Sequence, residues 1–115
     1  MKTITSFNGA LKSYLDEGKF RDQGLPSVKE LAERLNISPR YLSDLLKQET
    51  GKTALEHIHI FLIDEAKSML TSTPYTVAET AYHLGFENPP YFTRLFKKEV
   101  GLTPMEYKGQ FLGVA

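Results

Sequence analysis

The sequence has no cysteine, which excludes disulfides and thiolate metal sites and is ordinary for a protein of a reducing cytoplasm. It has no long hydrophobic run: the longest, Ile60 to Ile63, falls far short of the roughly 20 apolar residues that span a bilayer. Met1 to Ala10 lacks the charged-then-apolar layout of a signal peptide, so a soluble cytoplasmic protein with no membrane partner is expected. There is no excess of charge of one sign either, because 14 basic and 14 acidic residues leave a net charge of zero. The whole-chain balance therefore gives no electrostatic pointer to nucleic acid or membrane, and any such partner must be argued from where the charges sit. No segment shows the apolar–polar alternation of a half-buried strand. What is present is 115 residues with 41% hydrophobic content, enough to build a core in one compact domain or in two subdomains sharing a helix.

The chain says one thing twice. Ser27 to Ile58 recurs, about fifty residues on, as Thr76 to Lys108. Val28 pairs with Val77, Glu30 with Glu79, Ala32 with Ala81, Leu35 with Leu84 and Ile37 with Phe86. One extra residue then enters the second copy, after which Tyr41 pairs with Tyr91, Leu45 with Leu95, Lys47 with Lys97, Gly51 with Gly101, Thr53 with Thr103 and Glu56 with Glu106. A one-residue slip between matching blocks marks a turn. Two copies are too few for a stacked solenoid, so a pair of equivalent modules placed side by side is expected.

Helix-start signals are dense. Ser27 with Glu30, Thr53 with Glu56, Thr76 with Glu79 and Thr103 with Glu106 have the spacing in which a hydroxyl caps a helix and the third residue on reaches back. Ser38 before Pro39 and Asn88 before Pro89 put proline at the first helical position. Gly18, Gly51 and Gly101 are placed as stops. These signals predict an all-α chain of seven helices, at roughly 5–17, 28–35, 39–50, 54–71, 77–84, 89–100 and 104–112. Each copy has a short helix, a turn of three or four residues and a longer second helix, the helix-turn-helix layout. The helix beginning at Ala54 carries Leu55, Ile58, Leu62, Ala66 and Met69 at steps of three and four, a stripe able to pack on both modules. The expected division is 1–53 for the first helix-turn-helix subdomain with an N-terminal packing helix, 54–72 for the connector and 73–115 for the second subdomain. An eighteen-residue connector is roughly 27 Å long, close to the roughly 34 Å between successive turns of a major groove on one face. Long connecting helices also occur in proteins that bind no DNA.

In the helix from Pro39, the expected buried stripe is Tyr41, Leu42, Leu45 and Leu46. That leaves Arg40, Ser43, Asp44 and Lys47 facing away at i, i+3, i+4 and i+7. The matching helix from Pro89 is expected to bury Tyr91, Phe92, Leu95 and Phe96 and to present Pro90, Thr93, Arg94 and Lys97. Taken alone, each polar row is the solvated back of an amphipathic helix. Its place on the second helix of a helix-turn-helix, in both copies, favours entry into a major groove. Small residues near the start of such a helix allow close approach to base edges, and Arg94 can make a bidentate contact to guanine. Lys47, Lys97 and Lys98 suit phosphates, contacts that position without reading sequence. The amides at the helix starts of Ser38, Asn88 and Thr103 can hold phosphates, although capping explains those residues equally well. Asp44 is repelled by a polyanion unless it accepts from cytosine N4; the alternative is an ion pair with Lys47 or Arg40. The first module is expected to be the weaker reader.

The run GFENPPYFTRLFKKEVGLTPMEY resembles the signature of the AraC/XylS-type bacterial transcription regulators, and LAERLNISPRYLSDLLKQETGKTALEHI resembles the first half of the same domain. The likeness extends from Leu25 to Tyr107, with Gly85, Phe86, Tyr91, Phe92, Arg94, Phe96, Lys97, Gly101 and Pro104 in place. It implies two helix-turn-helix units joined by a long helix that docks two recognition helices in adjacent major grooves of double-stranded DNA as a monomer. RNA polymerase is a further implied partner. It also implies base-reading positions at Arg40, Ser43 and Asp44 in the first unit and at Pro90, Thr93 and Arg94 in the second. The first unit of family members often has a basic or amide residue where Asp44 stands. Members usually carry this module behind a separate sensing and dimerising domain. The expectation is an excised DNA-binding domain with no cofactor and no small-molecule ligand of its own, or else a small one-domain regulator.

Two other classes compete. For an enzyme, the sequence offers no Ser-His-Asp spacing, glycine-rich phosphate loop or supported pair of carboxylates. His57 and His59 point about 200° apart around a helix and cannot chelate one metal together, and His83 is expected at the surface. Neither catalysis nor a metal site is expected. A helical protein-interaction module without DNA binding is the alternative, favoured by the neutral charge and by apolar residues at Phe111 and Leu112.

Overall fold

The computed structural model describes residues 3 to 111, and among them the chain forms eight helices and no strand. They are α1 (Thr3–Asp16), α2 (Lys19–Gln23), α3 (Val28–Arg34), α4 (Pro39–Thr50), α5 (Ala54–Ser72), α6 (Val77–His83), α7 (Pro89–Val100) and α8 (Pro104–Phe111). The capping expected from sequence is present: Thr53 and Glu56, Thr76 and Glu79, and Thr103 and Glu106 each exchange a hydroxyl-to-amide bond of 3.1 Å and a carboxylate-to-amide bond of 2.8 Å. Such reciprocal pairs satisfy amides that the first turn of a helix leaves orphaned. At α3 one half of the expected reciprocal pair is found, Ser27 accepting from Glu30 N at 3.0 Å. No helix among the described residues is long and apolar enough to cross a membrane.

The helix not foreseen is α2, so the expected seven become eight. Five residues are too few to display a stripe, and the segment's one anchor is Phe20. That ring is fully buried, set edge-on to Tyr14 at 4.8 Å and stacked on Phe61 of α5 at 6.2 Å. Gly18 does stop α1, in the left-handed region at φ +75, and the chain turns straight into α2.

α1 packs on α2, α3 and α4, while α6 and α8 close around α7 and α5. Because α5 touches α1 and α4 as well as α6, α7 and α8, one core runs through both units, from Phe7, Leu11 and Leu31 to Phe86, Phe92 and Phe96. The stripe of α5 differs from the expectation in one respect: Leu55 is 54% exposed and Met69 is only partly covered. The covered line runs instead through Ala54, Ile58, Leu62, Ala66 and Leu70, with His57 and Ile63 beside it. The two lines share Ile58, Leu62 and Ala66 and differ at their ends, where contact with the flanking helices selects Ala54 over Leu55 and Leu70 over Met69.

His57 is 8% exposed, with Nε2 2.7 Å from the Thr50 hydroxyl and its ring edge-on to Phe7. Burial holds its basicity below the ordinary value of 6.5, and does the same to His59. The folded state then binds these protons more weakly than the unfolded chain, so stability declines as pH falls through 6.5. A thermal midpoint that is level near pH 7.5 and drops by about pH 5.5, with a shallower drop in His57→Gln, is the expected result. A separate acid limb belongs to Glu17, whose carboxylate is pulled down to about 2 by hydrogen bonds from Arg34 and Lys19. Its contribution is present above the ordinary 4.5 and lost as pH falls through about 2.

Candidate nucleic-acid interface

Each unit joins its two helices by the same turn. In the first, Ile37 N donates to Ala32 O at 3.1 Å and Asn36 N to Glu33 O at 3.1 Å; in the second, Phe86 N donates to Ala81 O at 3.0 Å and Gly85 N to Tyr82 O at 3.1 Å. This paired pattern, with a left-handed residue followed by an apolar one, is the Schellman ending of a helix. Asn36 and Gly85 take the left-handed position, at φ +58 and +86. The extra residue of the second copy is Glu87, inserted after that ending and before the next cap. Ser38 then caps α4 by accepting from Tyr41 N at 3.1 Å, and Asn88 caps α7 by accepting from Tyr91 N at 3.2 Å.

Neither polar row is buried. Arg40, Asp44 and Lys47 on α4 are exposed with Ser43 half-buried, and Pro90, Arg94 and Lys97 on α7 are exposed with Thr93 half-buried. Lys98 is exposed as well. The expected burial of Tyr41 and Tyr91 is overturned, since they are 55% and 42% exposed. At 100° per residue, Tyr41 lies about 120° from the middle of the Leu42–Leu46 line, outside the reach of the core. Leu45, about 80° from it, is half-buried. The broader Phe92, Leu95 and Phe96 face of α7 is fully covered, yet Tyr91 still falls beyond it. Both tyrosines therefore flank the polar rows, and their angular offset was the signal that could have found them. A second element missed from sequence is the Gln23 to Leu25 loop. With Asn88, Tyr91 and Arg94 it lines an open groove of about 510 Å³ beside the start of α7.

Charge separates the starts of α4 and α7 from those of α3, α5, α6 and α8; α1 also begins without an acidic residue, and there the Glu49 carboxylate accepts from Ile4 N at 3.3 Å. α3, α5, α6 and α8 each carry a glutamate in their first turn, whereas α4 and α7 carry no acidic residue there. The first turns of α4 and α7 thus bring no carboxylate to their positive dipole ends, although Glu87 precedes the α7 cap. At Thr103 the backbone N–H is already taken by the Glu106 carboxylate at 2.8 Å, so a negative charge sits where a phosphate would dock. The salt bridges among the described residues are Lys12–Asp16, Lys19–Glu17, Arg21–Asp22, Arg34–Glu17 and Lys67–Asp64. None involves Arg40, Lys47, Arg94, Lys97 or Lys98, and Asp44 does not pair with Arg40 or Lys47 as the alternative reading supposed. α4 balances Arg40 and Lys47 against Asp44 and Glu49, while α7 sets Arg94, Lys97 and Lys98 against Glu99 alone.

Two of the three histidines have structural partners: His57 hydrogen-bonds Thr50 and His83 stacks on Tyr75 at 4.5 Å. No group of three or more metal-binding side chains occurs among the described residues. The apolar surface expected at Phe111 and Leu112 lies outside the described side chains.

Two turn-linked helix pairs, each presenting an uncovered polar row on its second helix, define a tandem helix-turn-helix domain. The helix-turn-helix domain family model matches residues 31–110, and the chain belongs to that family, in its AraC/XylS type. Membership makes it a DNA-binding transcription-regulator domain. The chain is 32% identical over 81 residues to the arabinose operon regulatory protein of Salmonella typhimurium, covering 70% of this chain and 29% of that one. It is similar to the C-terminal domain of AraT, a response regulator from Geobacillus stearothermophilus, with a TM-score of 0.75, 28% identity, and 96% and 86% of the two chains covered. The fold is also that of the AdpA DNA-binding domain, solved in complex with a target DNA, at a TM-score of 0.75 and 22% identity, with 96% and 94% covered. The chain spans between 11% and 56% of the length of the first curated relatives it matches.

Proposed function

We propose that the chain reads double-stranded DNA as a monomer, with α4 and α7 in adjacent major grooves and α5 as the spacer between subdomains 1–53 and 73–115. One observation carries this reading: the two helices that present uncovered polar rows have no acidic residue in their first turns, unlike α3, α5, α6 and α8, and among the described residues their cations make no salt bridges. A domain 47 Å long has the reach for grooves about 34 Å apart. In this reading Pro90, Thr93 and Arg94 face base edges from α7, and Arg40, Ser43 and Asp44 from α4. Lys47, Lys97, Lys98 and the helix starts at Ser38 and Asn88 hold phosphates, with Tyr41 and Tyr91 flanking. Thr103 fits the phosphate role least, because Glu106 occupies its amide. The balanced charge of α4 makes it the weaker reader, and Asp44 favours cytosine over the other bases.

The test is titration of a duplex, selected from a random-sequence pool with this chain, at several salt concentrations. Each phosphate neutralised steepens the fall of log affinity with log salt by about 0.9, so three lysine contacts give a slope near −2.7 or steeper. A chain indifferent to duplex DNA at low salt would instead be a protein-interaction module.

A further inference from the structure

Asn36 and Gly85 hold the same place in the two turns, and both are left-handed. Asparagine tolerates that conformation, as the first turn demonstrates, so the backbone angle alone does not require glycine at 85. The surroundings differ. Asn36 is exposed, whereas a Cβ on Gly85 would stand 2.6 Å from the Phe20 carbonyl oxygen and 3.1 to 3.2 Å from backbone atoms of Gly24. Those are main-chain atoms, which cannot swing aside as the end of a side chain can. The second turn therefore lies directly on the end of α2. That end is itself anchored: Phe20 is fully buried and stacked on Phe61 of α5, and the Tyr14 hydroxyl donates to Gly24 O at 2.9 Å.

We infer that α2 is a strut between the units, and that Gly85, seated on Phe20 and Gly24, is a positioning residue that sets the angle of α7 relative to α4. The strut thereby sets the half-site spacing the protein accepts; this consequence rests on the two-groove reading above. α5 joins the units through one helix, and long helices curve. A second contact away from the α5 axis removes that freedom, and a main-chain contact leaves no rotamer slack. Inserting two base pairs between half-sites carries the far groove about 7 Å along the duplex and about 70° around it, a mismatch that a braced pair of helices cannot follow.

The experiment compares wild type, Gly85→Asn and the control Asn36→Gly on the selected duplex and on versions with two base pairs inserted or removed between the protected half-sites. Gly85→Asn keeps a residue suited to the left-handed turn while adding the colliding Cβ, so it separates loss of the contact from backbone strain. Wild type and Asn36→Gly are expected to lose at least about tenfold in affinity when the spacing changes, since linked binding fails when geometry forbids joint engagement. Gly85→Asn is expected to bind the original spacing about tenfold more weakly and to respond to spacing by less than about threefold, with base preference in each half-site retained. A wild-type spacing profile in Gly85→Asn, or a wild type indifferent to spacing, overturns the inference. Residual dipolar couplings of the free wild-type chain decide it independently of DNA binding and of how the variant folds. One alignment tensor for both units, with Overhauser contacts from Gly85 to Phe20 and Gly24, supports the strut; two tensors reject it. Failure of the wild type to bind any duplex would remove the two-groove reading and the spacing consequence, while the couplings still decide the strut.

Discussion

Arg94→Ala is expected to weaken binding to the preferred duplex by about 1–3 kcal/mol and to relax base preference at one or two positions. The guanidinium is exposed on α7 and makes no salt bridge among the described residues, so its removal leaves no buried charge unpaired, and the loss reads its contact with DNA directly. Lys97, one turn further along the same face, provides the comparison. Lys97→Ala should weaken binding evenly across sequences and reduce the salt slope by about 1. Affinities on the selected duplex, on single-base variants of it and on unrelated DNA distinguish the two. An Arg94→Ala loss of equal size on unrelated DNA would make Arg94 a phosphate contact.

A larger effect is expected inside the second unit. Phe92 has no exposed surface and lies between Phe86, 5.2 Å away, and Phe96, 5.9 Å away. Phe96 in turn meets Tyr107 of α8 edge-on at 5.5 Å. Phe92→Ala removes the middle of this aromatic chain and is expected to cost about 3–5 kcal/mol of stability, the usual range for a buried phenylalanine that leaves a cavity. Chemical denaturation of the variant checks it; a loss below about 1 kcal/mol would mean that the site collapses without strain. Because the same ring packs α7 on Phe86 of the turn that precedes it, the variant should also lose specific DNA binding in proportion to the population unfolded.

The helices and their starts were legible because their causes are local. A Thr three residues before a Glu, or a Ser before Pro39, states its own geometry within one turn. The outward rows were legible for the same reason, since a repeat of 3.6 places Arg40, Asp44 and Lys47, or Pro90, Arg94 and Lys97, on one line wherever the helix lies. What misled was the edge of each buried arc. Tyr41 and Tyr91 are aromatic and adjacent to core residues, yet their angular offset from the buried lines of α4 and α7 carries them past the edge of the core. Leu55 fails for a related reason, since it and Ala54 both lie within three or four residues of Ile58 and only the flanking helices decide which of them is covered. α2 escaped because five residues carry no period.

The amino-acid order alone determined that this chain is a doubled helix-turn-helix with polar rows on the second helix of each copy, because propensity, capping and periodicity act over three or four residues. How the two copies are held relative to one another was decided only by the tertiary structure. That depends on Phe20 and Gly24 meeting Gly85 across the molecule, a contact between segments far apart in the chain, where main-chain atoms leave no room for even one carbon. From the sequence, Gly85 is simply a residue suited to a left-handed turn; in the folded protein it is where one unit rests on the other.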